Sequence, residues 1–369
     1  MQSSYLQYVL NKAYQKKLAA SGTFELTARC NLSCKMCYIH KAENDSHALS
    51  NELPTAFWLD MVRQTREAGT LTMLITGGEP LLRKDFREIY FACKQAGFLV
   101  SVNTNGTLLR DEDIVFFAQY PPVRVNISLY GASEETYAAL CGIGKMFSRT
   151  AENIRKLRAA GVNVKINYTV TPYNREDAAA IFAFGREVGA PVQHTTYLFP
   201  PVRVCDGCCG EAVRLNPQEA AELELFCMRE KLGAEDFRRH SAAIRAGSAG
   251  VTLTDDDGTR DPTERIFCRA GTSAYWITYD GRLLPCGMLQ EPYTSLIDRP
   301  FPEAWRSIQE ETDHILMPAQ CTACQLRPHC EVCAAVCYGE NGQFSAVPQY
   351  LCERTKALLA LYQDAEEKP

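Results

Sequence analysis

The sequence lacks any long hydrophobic run: no stretch approaches the roughly 18 consecutive apolar residues of a transmembrane helix. No apolar signal-peptide core is visible near the N-terminus either. Positive charge is not in excess, because 39 Lys and Arg residues face 44 Asp and Glu, for a formal net charge of −5. These absences give no reason to expect a membrane or nucleic-acid partner, and they predict a cytoplasmic protein.

Cysteine is present in an unusual amount, with 17 among 369 residues. This is still too small a fraction for a short secreted disulfide scaffold, and the number is odd. Thiols stay reduced in the cytoplasm, where clustered cysteines indicate metal binding or catalysis rather than bridges. The six histidines are scattered along the chain and form no ligand cluster of their own. The sequence therefore predicts that the cysteines carry the chemistry.

Short β-type runs alternate with helical patterns from residue 22 to about residue 199. Six strand–helix units in series imply a parallel sheet with right-handed crossovers. The predicted fold class is α/β, as an open sheet or as a barrel that is six-eighths complete. The predicted strands are 23–28, 71–76, 98–103, 123–129, 162–170 and 191–198, and the helices between them are 55–68, 83–96, 111–119, 133–160 with a break, and 175–188.

The character of the chain changes after Phe199. An irregular connection leads into a predicted helix at 216–232, and the chain is dense in cysteine from Cys268 to Cys352 before a closing helix at 354–362. The predicted organisation is an N-terminal helical extension at 1–21, a barrel at 22–200, a connecting segment at 201–264 and a small cysteine-rich domain with a C-terminal helix at 265–369.

Three cysteines follow the first predicted strand with the spacing C-x3-C-x2-C: Cys30, Cys34 and Cys37. Three thiolates on one short loop suit three corners of an iron–sulfur cluster or three positions of a catalytic zinc, with one position left for another ligand. The spacing alone does not distinguish these two metals.

A second motif, Gly-Gly-Glu-Pro, ends the second predicted strand at residues 77–80. It is compatible with a plain turn, but its position favours a binding role, because ligands of parallel α/β sheets bind where the strands end. Paired glycines allow close approach to the backbone, and the adjacent carboxylate accepts hydrogen bonds from an ammonium group. Polar residues at the ends of later strands mark the same rim: Asn103, Asn105, Ser128, Tyr130 and Asn167.

The two motifs together, with Met36 before the third loop cysteine and Tyr38 after it, resemble the radical S-adenosylmethionine (radical SAM) enzymes over roughly residues 23–199. The resemblance implies a partial (β/α)6 TIM-like barrel. It also implies that the three loop cysteines bind a [4Fe-4S] cluster whose fourth iron is chelated by SAM. The SAM contacts that it implies are Gly77, Gly78 and Glu79 for the ammonium, Asn105, Ser128 and Asn167 for the ribose or carboxylate, and backbone near Met36 and Tyr38 for the adenine.

The C-terminal cysteines are compatible with a zinc ribbon by their paired C-x2-C spacings alone. Their full pattern is similar to the SPASM extension of radical SAM enzymes, which carries two auxiliary [4Fe-4S] clusters. One departure is that the usual fourth cysteine of the run falls at Ala334, whereas this chain has Cys333 and Cys337. The implied ligands are Cys268, Cys286 and either or both of Cys333 and Cys337 for one cluster, and Cys321, Cys324, Cys330 and Cys352 for the other.

The expected activity is reductive cleavage of SAM to a 5′-deoxyadenosyl radical that removes hydrogen from a substrate. The resemblance implies a peptide substrate, to be crosslinked, epimerised or given a thioether, with a flavodoxin- or ferredoxin-type electron donor. Only about 20 residues precede the first predicted strand, so any leader peptide is expected to be bound by the barrel or by a separate protein. A small-molecule substrate is the alternative, and a sulfatase-modifying role is disfavoured because Gly287 stands where those enzymes have Asp.

A non-catalytic electron carrier or zinc-ribbon protein is the alternative from a different class. It accounts for the C-terminal cysteines but not for Gly-Gly-Glu-Pro or the polar rim. Six cysteines remain outside these groups: Cys93, Cys141 and Cys227, expected to be buried structural thiols, and Cys205, Cys208 and Cys209, expected to be exposed loop residues with a cluster role as the alternative.

Overall fold

The computed structural model describes residues 4–39, 41–200, 213–247 and 268–364. The loop that contains Cys205, Cys208 and Cys209 lies outside the described residues, so the predictions for it stay predictions. Among the residues described, no helix is long and apolar enough to cross a membrane.

The strands, numbered in chain order, are β1 (Ser21–Glu25), β2 (Arg29–Cys30), β3 (Lys41–Ala42), β4 (Thr72–Thr76), β5 (Leu99–Thr104), β6 (Arg124–Ser128), β7 (Val164–Thr169), β8 (Val192–Thr195), β9 (Ala274–Ile277), β10 (Arg282–Leu284) and β11 (Thr294–Ser295). Nine of them form one sheet in the order β11-β10-β9-β1-β4-β5-β6-β7-β8, and β2 pairs with β3 separately. The run from β9 through β1 to β8 is parallel throughout, while β10 and β11 are antiparallel to their neighbours.

The helices are α1 (Ser4–Gln15), α2 (Ser46–Asn51), α3 (Thr55–Glu67), α4 (Phe86–Gln95), α5 (Asp111–Gln119), α6 (Glu134–Cys141), α7 (Phe147–Ala159), α8 (Ala178–Val188), α9 (Pro217–Arg245), α10 (Phe301–Asp313), α11 (Ala319–Thr322), α12 (Ala334–Asn341) and α13 (Gln349–Asp364). Short 3-10 turns cover Pro80–Leu82, Arg175–Asp177 and Arg327–His329. The predicted α/β class and partial barrel are confirmed, because the six predicted strands form consecutive parallel neighbours with helices between them.

The barrel strands have one apolar and one polar face. Phe24 of β1 points outward and packs against Trp58 of α3 with ring centroids 5.2 Å apart. The alternate residues, which include Asn103, Asn126 and Asn167, lie on the inner face. Helices cover the outer face, so the inner face is left to bind polar groups.

The C-terminal region continues the barrel sheet, a feature that the sequence analysis does not predict. Strand β9 pairs with β1, and the Tyr275 hydroxyl lies 2.8 Å from that of Thr70. A Cβ added to Gly22 would lie 2.4 Å from the Tyr275 hydroxyl, so a glycine is needed where this ring crosses β1. The auxiliary cysteines are therefore attached to the barrel beside the strand that leads into the first cysteine loop.

Helix α9 is longer than predicted, and four helices of the structure, α2, α10, α11 and α12, are not predicted. Helix α9 begins at the predicted place, where Asn216 and Glu219 form a capping box, but it continues to Arg245 beyond a kink at Gly233, whose φ is 75°. Its predicted end is the kink, because a glycine with positive φ interrupts the helical pattern there. Helices α10, α11 and α12 lie in the cysteine-rich region, for which the sequence predicts cluster ligands and only the closing helix.

Candidate active site

The first cysteine loop lies at the C-terminal edge of the barrel and is held by the end of α6. The Ser33 amide donates to the Cys141 carbonyl and the Lys35 amide to the Leu140 carbonyl, both at 2.9 Å. Burial raises the pKa of the Cys30 thiol, and the neighbouring charges of Glu79 and the other two loop cysteines add to this rise. Such a loop favours bound thiolates, because a positive metal centre offsets the charge that burial disfavours.

Cys141 contributes more than packing. A hydrogen bond with Cys141 is the largest cause of the raised pKa of Cys34, and burial adds to it. Cys141 is thus a buried thiol, as predicted, but it also contacts a residue of the cysteine loop. Cys93 and Cys227 are fully buried in the main core, as predicted for structural thiols.

The glycines of Gly-Gly-Glu-Pro lie against the chain that leads into the cysteine loop. A Cβ on Gly77 would lie 2.6 Å from the Thr27 carbonyl oxygen, and one on Gly78 would lie 2.4 Å from that of Arg29. The Gly78 amide donates to the Thr27 carbonyl at 2.7 Å. The close approach seen here is thus between two backbone segments, and it fixes the motif beside the loop.

Glu79 is fully buried and receives several hydrogen bonds. The Thr104 hydroxyl donates to its two carboxylate oxygens at 2.8 and 3.0 Å, and the amides of Asn105 and Leu81 donate at 2.7 and 3.1 Å. Burial raises the pKa of Glu79 to about 7, although these donors favour the ionised form. Its role toward an ammonium stays a prediction.

A cavity of about 400 Å³ lies beneath the cysteine loop. Seven of the eight predicted SAM contacts line it, and Glu79 is the exception. The predicted residues that share this cavity are Cys30, Cys34, Cys37, Met36, Tyr38, Gly77, Gly78, Asn105, Ser128 and Asn167.

Other lining residues are absent from the predicted SAM contacts. Asn103 and Tyr130 belong to the predicted rim without an assigned role. Thr169 could have been found by the two-residue period, since it follows Asn167 on the inner face of β7. Met288 could not, because it comes from the C-terminal region. The further lining residues are Leu32, Ile39, Thr76, Thr104, Thr195, Tyr197, Leu198 and Phe199.

Four C-terminal cysteines surround a second cavity, of about 180 Å³. Three of them lie within ten residues, 321–330, and α13 supplies the fourth. Burial, together with the charges of the other three cysteines, raises the pKa of Cys321 to about 11. These four are the residues expected to hold one auxiliary cluster: Cys321, Cys324, Cys330 and Cys352.

The other auxiliary group is packed into one apolar cluster of the C-terminal region, with Cys268, Cys286, Cys333 and Cys337. Burial, together with the nearby charge of Cys286, raises the pKa of Cys333 to about 11, and both residues pack against this cluster. Cys337 is completely buried one helical turn after Cys333, and its thiol pKa is raised by burial and by cysteines of both groups. It does not line the 180 Å³ cavity.

The arrangement of the cysteine side chains can be compared with what a single metal ion and an iron–sulfur cluster require. Among the described residues, no three His, Cys, Asp or Glu side chains converge closely enough to hold a single metal ion. A four-iron cluster needs a wider arrangement, because each thiolate binds a different iron. Three cysteines line the 400 Å³ cavity and four line the 180 Å³ cavity, and cysteine thiolates are the ligands of iron–sulfur clusters.

A buried ionic network joins the auxiliary region to the barrel. Arg354 of α13 donates to Glu331 at 2.9 Å, to Glu224 of α9 at 3.0 Å and to the Thr196 hydroxyl at 2.9 Å. Burial alone would raise the pKa of Glu224, but His194, at 3.0 Å, and Arg354 lower it to about 2. The network thus fixes the segment between Cys330 and Cys333 against the end of β8.

Comparison with known families fits this geometry. Residues 24–185 match the model of the Radical SAM superfamily. This part of the chain is a radical SAM domain, and it contains the cysteine loop, the Gly-Gly-Glu-Pro motif and the barrel strands as far as β7.

Relatives in sequence align over most of the chain. An AdoMet-dependent heme synthase of Methanosarcina barkeri is 27% identical over 343 residues, covering 90% of this chain and 95% of the relative. One of Nitratidesulfovibrio vulgaris is 29% identical over 88% of this chain and 89% of the relative. A probable GTP 3′,8-cyclase of Saccharolobus solfataricus is 28% identical over 289 residues, covering 78% of this chain and 88% of the relative.

Two solved structures share the fold. Streptococcus suis SuiB bound to S-adenosylmethionine superposes with a TM-score of 0.68 at 17% identity, over 93% of this chain and 80% of SuiB. The structure of anSMEcpe with bound AdoMet superposes with a TM-score of 0.70 at 17% identity, over 94% of this chain and 97% of anSMEcpe. At this identity the likeness shows the fold, including its C-terminal continuation.

Proposed function

We propose that this protein is a radical SAM enzyme that cleaves SAM reductively and removes a hydrogen atom from an organic substrate. The observation that carries the proposal is the single 400 Å³ cavity, which brings together all three loop cysteines and seven of the eight predicted SAM contacts. The radical SAM domain at residues 24–185 supports it.

The residues of the cavity have separate tasks. The three loop thiolates bind the cluster, and the paired glycines together with Asn105, Ser128 and Asn167 hold SAM. When bound, the [4Fe-4S] cluster supplies one electron that breaks a C–S bond of SAM, giving methionine and a 5′-deoxyadenosyl radical. Phe199 and Met288 contribute apolar surface that limits water at the reacting atoms.

The C-terminal cysteines are proposed to hold two further [4Fe-4S] clusters in a domain spanning residues 265–369. Support comes from the cavity that four of them line and from the proximity of Cys333 to Cys286. A low-potential flavodoxin- or ferredoxin-type protein is the proposed electron donor, because reductive cleavage of SAM consumes an electron.

Two substrate classes follow from different observations. The resemblance to peptide-modifying enzymes favours a peptide, and two solved neighbours with this fold were determined with a peptide bound: SuiB with its precursor peptide SuiA, and anSMEcpe with the peptide Kp18Cys. The relatives that align over 78–90% of the chain carry names of small-molecule reactions, haem synthesis and GTP cyclisation. On this ground, a small molecule is the second candidate for the substrate.

The cofactor content tests the proposal. Anaerobically reconstituted protein should contain about 12 iron and 12 sulfide per chain, and SAM should change the electron paramagnetic resonance spectrum of the dithionite-reduced protein. Cys34→Ala should remove the SAM-dependent change, whereas Cys93→Ala, which removes a buried thiol outside the site, should keep it. Stoichiometric zinc without sulfide would contradict the proposal and support a zinc ribbon.

A further inference from the structure

Asn105 lies directly after β5 and contacts both motifs of the active site. Its backbone amide donates to a carboxylate oxygen of Glu79 at 2.7 Å, and its side-chain amide donates to the Sγ atom of Cys30 at 3.6 Å. Asn105 and Cys30 are both buried. One residue therefore connects the Gly-Gly-Glu-Pro motif with the first cysteine loop.

The orientation of the Asn105 amide is fixed by the residue two positions further on. The Thr107 backbone N–H donates to the Asn105 side-chain oxygen at 2.9 Å, and the Thr107 hydroxyl donates to the same oxygen at 2.7 Å. A backbone N–H can only donate, so the atom that faces it is the oxygen, and the NH2 group faces Cys30. Asn suits this turn, because its side-chain oxygen reaches the backbone amide two residues on.

All four hydrogen-bonding positions of the Asn105 side chain are occupied within the protein. Its second N–H donates to the side-chain oxygen of Asn31 at 2.9 Å, and the Asn31 amide donates to the Thr107 hydroxyl at 2.8 Å. An Asn side chain has two N–H donors and two oxygen lone pairs, and Cys30, Asn31 and Thr107 use them all. This ring of hydrogen bonds holds one N–H on the Cys30 sulfur.

The Cys30 sulfur accepts two N–H groups in surroundings that disfavour negative charge. The second donor is the Leu32 backbone amide, 3.4 Å from Sγ. Burial and the charge of Glu79 both raise the pKa of the Cys30 thiol. Reduction of a bound cluster adds further negative charge here, and an N–H that points at a ligating sulfur stabilises the reduced form more than the oxidised form. Of the two donors, the Asn105 side chain is the one that a substitution can remove.

We propose that Asn105 is a positioning residue that raises the reduction potential of the cluster bound by the first cysteine loop, through its hydrogen bond to Cys30. The inference rests on the proposed function and specifies how Asn105 acts in it: the side chain acts on the loop cysteine, and through it on the cluster to which SAM binds. A higher potential makes electron transfer from the donor protein more favourable. Loss of one hydrogen bond corresponds to about a tenfold change in the equilibrium of one-electron reduction, or about 59 mV.

A redox titration of the anaerobically reconstituted protein tests this inference. The electron paramagnetic resonance signal that changes on addition of SAM identifies the first-loop cluster among the three proposed clusters. Asn105→Leu removes the donor at a similar side-chain volume, and it should lower the potential of this signal by about 59 mV, a tenfold effect. Asn105→Ser should give the same shift, because its hydroxyl can still accept from the Thr107 amide but is too short to reach Cys30.

Asn153→Leu is the matched control. The Asn153 amide donates to the carbonyl oxygens of Gly106 and Leu109 at 2.8 and 3.3 Å, so both of its N–H groups support the turn after Asn105 and neither points at Cys30. This variant should lose stability and keep the parent potential.

Three results would overturn the inference. They are an unchanged potential in the Asn105 variants at full iron and sulfide content, an equal shift in Asn153→Leu, and absence of the SAM-sensitive cluster from both Asn105 variants, because the three thiolates should hold the cluster without the amide. If only Asn105→Leu binds no cluster, the potential of Asn105→Ser decides. The proposed function fails separately, if SAM leaves the spectrum of the reduced parent protein unchanged.

Discussion

The indole N–H of Trp276 donates to the carboxylate of Glu25 at 2.7 Å. Glu25 ends the strand that leads into the first cysteine loop, and Trp276 lies on the paired strand β9. The Trp276 ring also lies against Gly287, directly after Cys286. One side chain therefore connects the proposed radical-forming site with the auxiliary region.

Gly287 should tolerate no side chain. A Cβ at this position would lie 2.7 Å from ring carbons of Trp276. We expect Gly287→Ala to lower the free energy of unfolding by about 1–3 kcal/mol, because the packed ring has to move. Urea titration measures this, with Gly144→Ala as the matched control, since its Cβ would lie an ordinary 3.7 Å from Ala138. An equal loss of unfolding free energy in the two variants would contradict the close packing of Trp276 against Gly287.

Arg354 should be needed for the stability of the auxiliary region and for its iron content. Arg354→Met leaves Glu224 and Glu331 without their buried cation, which should lower the free energy of unfolding by about 3–5 kcal/mol. Auxiliary iron should fall with it, because the segment between Cys330 and Cys333 is no longer fixed. Arg239→Met, at a side chain that is 73% exposed, is the control and should change neither quantity. Normal iron content in Arg354→Met would refute this role.

Cys352 and Cys337 should differ in their effect on iron content. Cys352 lines the 180 Å³ cavity and Cys337 does not. We expect Cys352→Ser to lose about four iron atoms per chain, and Cys337→Ser to retain the cluster in that cavity. Iron and sulfide analysis after anaerobic reconstitution checks this. Loss of the same cluster in both variants would show that Cys337 is also a ligand there.

Thr104 should influence SAM binding through Glu79. Its hydroxyl donates to the ionised carboxylate, so Thr104→Val raises the Glu79 pKa above its value of about 7. A smaller fraction of Glu79 is then ionised at pH 7, and affinity for the SAM ammonium should fall by about two- to fivefold. Because the carboxylate ionises again as the pH rises, the loss should shrink at pH 8.5. Calorimetric titration at both pH values measures it, and a pH-independent loss would contradict the role of Glu79.

The sequence predicts the barrel well because its strands follow a simple period and the two motifs occupy strand ends. Cys30 and Gly77 come from adjacent strand ends, so their proximity follows from parallel topology alone. The pairing of β9 with β1 could not be predicted, since it depends on Tyr275 crossing a glycine more than 250 residues away in sequence. Met288 was missed for the same reason, because tertiary packing brings it to the cavity.

The most direct test of the central claim is the production of 5′-deoxyadenosine. The reconstituted protein, reduced with dithionite under anaerobic conditions and given SAM, should form 5′-deoxyadenosine and methionine in equal amounts, detected by mass spectrometry. Cys34→Ala should form neither above background, while Cys93→Ala should match the parent protein. A parent protein with full iron and sulfide that forms no 5′-deoxyadenosine would contradict the account.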